Sequence, residues 1–194
     1  GTIPLDSLMS PEAASGEISQ ENRIHKPWEV SLITSTTGST GLPKLVENPA
    51  CARLKCGEEF RIGFEIKEDD AVLLSVAGVG GGAIMACYTS PLTGCKVVVQ
   101  ERFEPEESLH IIEKERITVL PVVPTQAIML LEHPTLRNYN LESLRAIGIY
   151  GAALHYETGK KIEALLKAKV INFWGSHDCG IGIVTSIRKS QRVR

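Results

Sequence analysis

Hydrophobic residues fall into two alternating patterns along this chain. The first is short continuous apolar runs of strand length: Ala71-Val72-Leu73-Leu74-Ser75-Val76, Lys96-Val97-Val98-Val99-Gln100, Thr118-Val119-Leu120-Pro121-Val122-Val123, Leu144 to Tyr150, and Val170-Ile171-Asn172-Phe173-Trp174. Unbroken apolar runs are the habit of strands covered on both faces. The second is longer segments with polar residues interleaved at helical spacing. These predict helices over Ala83–Ser90, Glu106–Arg116, Pro124–Leu131 and Tyr156–Lys167. Glu106 and Glu107 sit in the first turn of their helix, where the dipole favours acids, and Leu109, Ile111 and Ile112 supply its buried stripe. Earlier, Val30–Ile33 reads as a strand and Leu45–Glu47 as a returning one. Asn48-Pro49 reads as a helix start, with Asn as cap and Pro at the first helical position, and that helix is expected to run to about Phe60.

Strand and helix alternate repeatedly, which predicts an α/β fold with a largely parallel sheet flanked by helices. Ligands in such sheets bind beyond the carboxyl ends of the strands. The Ser/Thr/Gly loop after Ile33, the Gly78–Gly82 turn, Gly151 and Gly175 all follow strands. One crevice could therefore gather them. Residues 1–29 are interrupted by Pro4, Pro11, Gly16 and Pro27 and read as irregular, with a short helical turn near Pro11–Ala14. Residues 30–186 form the α/β unit, and the basic tail 187–194 is expected to fray.

Composition narrows the class. The chain has 194 residues, 43% hydrophobic and 23% charged, as ordinary globular proteins do. A formal net charge of -2 offers nucleic acid no attraction. No apolar run is long enough to cross a membrane, and no signal peptide is expected. The five cysteines are scattered, without CxxC spacing, so zinc is disfavoured and reduced thiols in a cytoplasmic protein are expected.

The chemistry concentrates in Thr36-Thr37-Gly38-Ser39-Thr40-Gly41-Leu42-Pro43-Lys44. Glycines let backbone N–H groups converge on an anion, the hydroxyls add donors, and lysine adds a point charge suited to phosphate. Pro43 stands where a P-loop requires glycine, so this is not the NTPase motif. A plain polar surface loop is the alternative. The stretch resembles the phosphate-binding signature of the adenylate-forming superfamily, which includes acyl-CoA and aryl-CoA synthetases, firefly luciferases and peptide-synthetase adenylation domains. Asn172-Phe173-Trp174-Gly175-Ser176-His177-Asp178 resembles that family's second nucleotide motif. Asp178 stands for its usual glutamate, and His177 for its usual threonine. Gly151-Ala152-Ala153-Leu154 resembles its adenine-facing Gly-Ala-Pro-Leu segment, with Tyr150 where a second glycine is usual. Pro121-Val122-Val123-Pro124-Thr125 matches a scaffold segment, and the resemblance spans about residues 28–186.

The resemblance implies a partial copy of the family's N-terminal domain and a two-step reaction. A carboxylic acid and ATP give an acyl-adenylate and pyrophosphate, and coenzyme A then takes the acyl group and releases AMP. Thr36, Thr37, Gly38, Ser39, Thr40, Gly41 and Lys44 would hold the phosphates. Trp174, Gly175, Gly151, Ala152 and Ala153 would face adenine and the acyl end. Asp178 would hold Mg²⁺, and His177 would face the α-phosphate, the two acting as the catalytic pair. Val79, Gly80 and Gly81 would line the acyl pocket. No Asp or Glu lies between Ala71 and Gln100, where amino-acid-activating relatives place an aspartate. That favours a neutral-tailed acid, aryl or medium to long acyl, over an amino acid.

Family members are longer, and their C-terminal lid domain, with its hinge and catalytic lysine, has no counterpart after Gly180. The chain therefore reads as a segment expected to bind ATP weakly and to turn over little by itself. The substitutions at His177, Tyr150 and Gly80 keep a second class open, a non-catalytic relative that binds nucleotide as a regulatory or scaffolding module. The sequence leaves the oligomeric state open.

Overall fold

The computed structural model describes residues 26–36, 41–75, 81–176 and 180–185, with backbone alone for 81–84 and 181–184. A hairpin of β1 (Val30–Ser35) and β2 (Leu45–Pro49) leads into helix α1 (Ala50–Phe64). The chain then alternates through β3 (Ala71–Leu74), α2 (Gly81–Thr93), β4 (Lys96–Val99), α3 (Pro105–Glu115), β5 (Val119–Val122), α4 (Pro124–Leu131), β6 (Ala146–Ile149), α5 (Tyr156–Leu166) and β7 (Lys169–Ser176). Strand β8 (Gly180–Val184) closes the described part. The main sheet has the order β4-β3-β5-β6-β7-β8. Its first five strands are parallel, and β8 returns antiparallel to β7.

The continuous apolar runs are explained by their surroundings. Strands β3, β5 and β6 are buried at every residue. On one face Val72, Leu74, Val119, Ala146, Ile171 and Phe173 pack against Phe60 and Phe64 of α1 and Met85 of α2. On the other, Leu73, Leu120, Ile147 and Ile149 pack against Leu109 and Ile112 of α3, Leu130 of α4 and Ile162 of α5. Three helices end alike. Glu65, Arg116 and Lys167 adopt left-handed backbone with φ of 51°, 52° and 53°, and each is followed by a buried apolar residue, Ile66, Ile117 or Ala168. This is the left-handed helix stop with its apolar contact, built here without glycine.

Several sequence expectations shift at the edges. Asn48 does not cap α1: its amide donates to Thr34 Oγ1 (3.1 Å) and to the Val46 carbonyl (2.9 Å). Pro49 occupies the cap position, and the free N–H groups of Ala50 and Cys51 donate to the carbonyls of Glu29 and Pro27. Helix α1 runs past Phe60 because Phe64 continues its buried stripe by one more turn. Strand β8 was not anticipated, and β7 extends through Ser176 because β8 pairs with it there.

The strand order reverses direction between β3 and β5. There the two strands register only at Val72↔Val119, whereas β5 and β6 register over four pairs. Pro121 has no N–H to donate, so β5 cannot complete a second ladder with β3. The Gln126 side chain spans the opening instead, accepting from the Val123 N–H (3.1 Å) and donating to the Ser75 carbonyl (3.4 Å). A crevice at the carboxyl edge beside such a reversal is the usual ligand position of this architecture.

Candidate functional site

Neighbouring strand ends bring two of the sequence motifs together. Ile149 of β6 is in register with Asn172 of β7, so Tyr150–Ala153 leave the sheet alongside Phe173–Ser176, the last residues of β7. Gly151 has φ +80° and lies close to Val123, a conformation glycine takes without strain. Ala152 and Ala153 are exposed and present little beyond backbone. Along β7 the side chains alternate. Phe173 turns inward against Phe60, Phe64 and Tyr150, while the Trp174 indole is 61% exposed. A bulge follows, because Trp174 pairs with Ile183 but Gly175 with Ile181, which leaves Gly182 over. Such bulges re-aim a strand end, here the one that carries Gly175 and Ser176.

Tyr150 replaces a small residue of the motif without blocking the edge. Its ring stacks on Phe173 with centroids 4.9 Å apart, and burial pushes its phenol up to about 12. The side chain therefore belongs to the core beneath the site.

The phosphate-type loop is pinched at its base. Thr36 N–H donates to the Lys44 carbonyl (2.9 Å), and Lys44 N–H donates to Thr36 Oγ1 (3.0 Å). The Thr36 hydroxyl keeps its own proton free to donate to a ligand. Gly41 and Lys44 are exposed. Thr37, Gly38, Ser39 and Thr40 lie outside the described residues, as do Val79, Gly80, His177 and Asp178, and Gly81 is described by backbone alone, opening α2.

Sequence reasoning overlooked two groups at this edge. Ser75, at the end of β3, is fully buried, and its Oγ has no hydrogen-bond partner among the described residues. Arg53, in the first turn of α1, is 7% exposed, and its Nε likewise lacks a partner. The signal for Arg53 was its spacing. It stands three residues before Cys56, seven before Phe60 and eleven before Phe64, on the stripe that faces the sheet.

A cavity of about 500 Å³ lies at the opposite, amino edge, lined by Asp70, Thr118, Arg145, Lys67 and Lys169 among others. Its central charges satisfy one another. Arg145 grips Asp70 through Nε (2.9 Å) and Nη2 (2.6 Å), Thr118 Oγ1 donates to the same carboxylate (2.6 Å), and Arg145 Nη1 donates to the Phe64 carbonyl (2.7 Å). That network ties α1, β3, β5 and β6 together and serves as a brace.

A family model described as AMP-binding enzyme matches residues 3–194. The chain belongs to the AMP-binding enzyme family. Among its relatives in this family is a long-chain-fatty-acid–CoA ligase of Bacillus subtilis (strain 168), 29% identical over 160 residues, covering 79% of this chain and 28% of that protein. Another is 4-coumarate-CoA ligase 1 of Narcissus pseudonarcissus, 30% identical over 181 residues, covering 88% of this chain and 31% of that protein. The chain thus spans less than a third of the length of either. The fold agrees with the O-succinylbenzoate coenzyme A synthetase of Bacillus subtilis, solved in complex with ATP and magnesium ion: TM-score 0.79 at 24% identity, over 98% of this chain and 39% of that one. The parallel α/β architecture read from the apolar runs is therefore the N-terminal architecture of the adenylate-forming AMP-binding enzymes.

Proposed function

We propose that the chain carries the nucleotide-binding and acid-binding part of an ATP-dependent acid–thiol ligase. The placement of the exposed Trp174 beside the open Gly151–Ala153 backbone, at adjoining strand ends, carries the reading. The CoA-ligase activities named for the relatives support the reaction class. In the first step an oxygen of the acid attacks the α-phosphorus of ATP, and pyrophosphate leaves. In the second the coenzyme A sulfur attacks the acyl carbon, and AMP leaves.

The first step brings two anions together, so the protein must supply oriented donors and positive charge. Thr36, Thr37, Ser39 and Thr40 donate hydroxyl protons to the terminal phosphates, the N–H groups of Gly38 and Gly41 add backbone donors, and Lys44 adds charge. Trp174 stacks on adenine, with Gly175 leaving its ring accessible, while Gly151, Ala152 and Ala153 form the wall opposite. His177 faces the α-phosphate as a donor. Asp178 offers the oxygen ligand that Mg²⁺ prefers, and the ion, when bound, neutralises phosphate charge. Val79, Gly80 and Gly81 leave room for the acyl tail, and the absence of acids from Ala71 to Gln100 disfavours an α-ammonium.

Two measurements test the reading. Mg·ATP should quench Trp174 fluorescence in the wild type, less in Lys44→Ala, and without metal dependence in Asp178→Ala. Acid-dependent pyrophosphate exchange by the full-length protein should respond to aryl or acyl acids. Exchange confined to amino acids would refute the substrate class. Binding that ignores Mg²⁺, or no binding at all, would point instead to a non-catalytic nucleotide-binding module.

A further inference from the structure

We propose that Arg53 is an anion receptor of the ligand-binding edge, whose guanidinium takes an oxyanion of the bound reactants: a phosphate oxygen of the nucleotide or a carboxylate of the acid.

Orientation places it there. The last residues of α1 lie at the amino edge of the sheet, where Arg145 holds the carbonyls of Phe64 and Glu65. Arg53 stands eleven residues earlier, about 16 Å along the helix axis at 1.5 Å per residue. That carries it past the short strands to the carboxyl edge. It ends beneath the start of β8: a methyl group on Gly180 would lie 3.5 Å from Arg53 Nη2 and 2.7 Å from Cys56 Sγ. In the sequence, Gly180 stands two residues after Asp178 and three after His177.

Chemistry then asks for a partner. An arginine side chain is permanently cationic and carries only donors. Burying it without an acceptor is costly, so native proteins pair such groups or keep them for a ligand. The acids of its own helix are committed elsewhere, Glu58 to Arg61 (2.7 Å) and Glu59 to Lys55 (2.6 Å). Among the described residues, the buried side-chain atoms without a hydrogen bond are Arg53 Nε and Ser75 Oγ, and both belong to the carboxyl edge. The amino edge, with its full Asp70–Arg145–Thr118 network, has none. The unmet demand lies where the reactants enter.

The proposal rests on the nucleotide reading above, so its test separates the two. Thermal unfolding of the chain is followed with pyrophosphate, hexanoate or adipate, each against sodium chloride of equal ionic strength. The wild type should gain about 3–6 °C at ten times the dissociation constant of the anion it takes. Arg53→Met should start at a Tm no lower than the wild type and gain nothing. Arg53→Lys, which keeps charge but not the fork, should retain part of the gain. A gain with pyrophosphate alone assigns Arg53 to the nucleotide. Equal gains with hexanoate and adipate assign it to the reacting carboxylate, and a gain with adipate beyond hexanoate assigns it to a second carboxylate of the acid. Equal gains in wild type and Arg53→Met overturn the proposal, as does no gain with any of the three. So does an Arg53→Met protein that melts several degrees lower, the mark of an internal partner. Failure of the nucleotide reading shows separately, as no quenching of Trp174 by Mg·ATP.

Discussion

Gly148 lies directly against Phe64: a methyl group on its Cα would come within 2.5 Å of the ring Cζ and 2.9 Å of Cε1, and within 2.9 Å of Phe173 Cε1. The missing side chain in the middle of β6 is what lets the two rings meet edge to face at 5.9 Å over the sheet. Gly148→Ala should therefore overpack a core that has no slack. We expect a loss of about 2–3 kcal/mol in urea unfolding, the upper range for overpacked sites. A loss below about 0.5 kcal/mol would mean that the rings move aside freely.

The brace at the amino edge should be visible in acid. Burial alone would raise the Asp70 carboxyl, but hydrogen bonds from Arg145, Thr118 and the Lys67 N–H, with the Arg145 charge, outweigh it and hold the group below the usual carboxylate range. A depressed folded pKa contributes stability that is fully present above the unfolded value, about 4, and is lost as pH falls through the folded one. Unfolding free energy from pH 6 down to 2 should show this loss below about pH 4. Asp70→Asn should remove that component and cost about 2–3 kcal/mol at neutral pH, since it leaves Arg145 without its buried counter-charge.

These two sites differ in how far the sequence reveals them. The apolar runs announced β3, β5 and β6 because each is covered on both faces, and the same runs implied parallel pairing. Strand β8 left no such trace. It reads Gly-Ile-Gly-Ile-Val, its glycines dilute any strand preference, and its place is set by pairing with β7 rather than by its own residues. Asn48 looked like a cap because Asn-Pro usually is one, but a buried contact with Thr34 claimed its amide. The Trp174 and Gly151 motifs were legible as motifs, and their adjacency needed the β6–β7 register. Arg53 was hidden by its charge, since a cation on an apolar stripe is read as an interruption of the stripe rather than as part of it.

The glycine-free helix stops offer a stabilising change. Arg116 and Lys167 are exposed and hold left-handed backbone at φ 52° and 53°, which costs a non-glycine residue about 1 kcal/mol. Arg116→Gly and Lys167→Gly should each raise stability by up to about 0.5 kcal/mol, the rest of that strain relief being returned through the freer unfolded chain. The two positions lie at the ends of different helices, so their effects should add. Chemical denaturation of the two single variants and the double variant measures this directly. A destabilised double variant would mean that the long side chains contribute packing at the stops.

Trp174 tests the nucleotide edge most directly, because its indole is exposed beside a β-bulge while its neighbour Phe173 is locked in the core. A large exposed aromatic at a strand end gains little for the fold, so Trp174→Ala should change stability by less than about 0.5 kcal/mol. Stacking on a base is worth about 1–3 kcal/mol, so the same substitution should weaken ATP binding by roughly 5-fold to 150-fold. Trp28 is also exposed and lies in the segment before β1, so it supplies a residual emission against which quenching can be read. If ATP quenches Trp174→Ala as strongly as the wild type, the indole does not face the base. Folding intact with affinity lost is the outcome that separates a binding platform from a structural tryptophan.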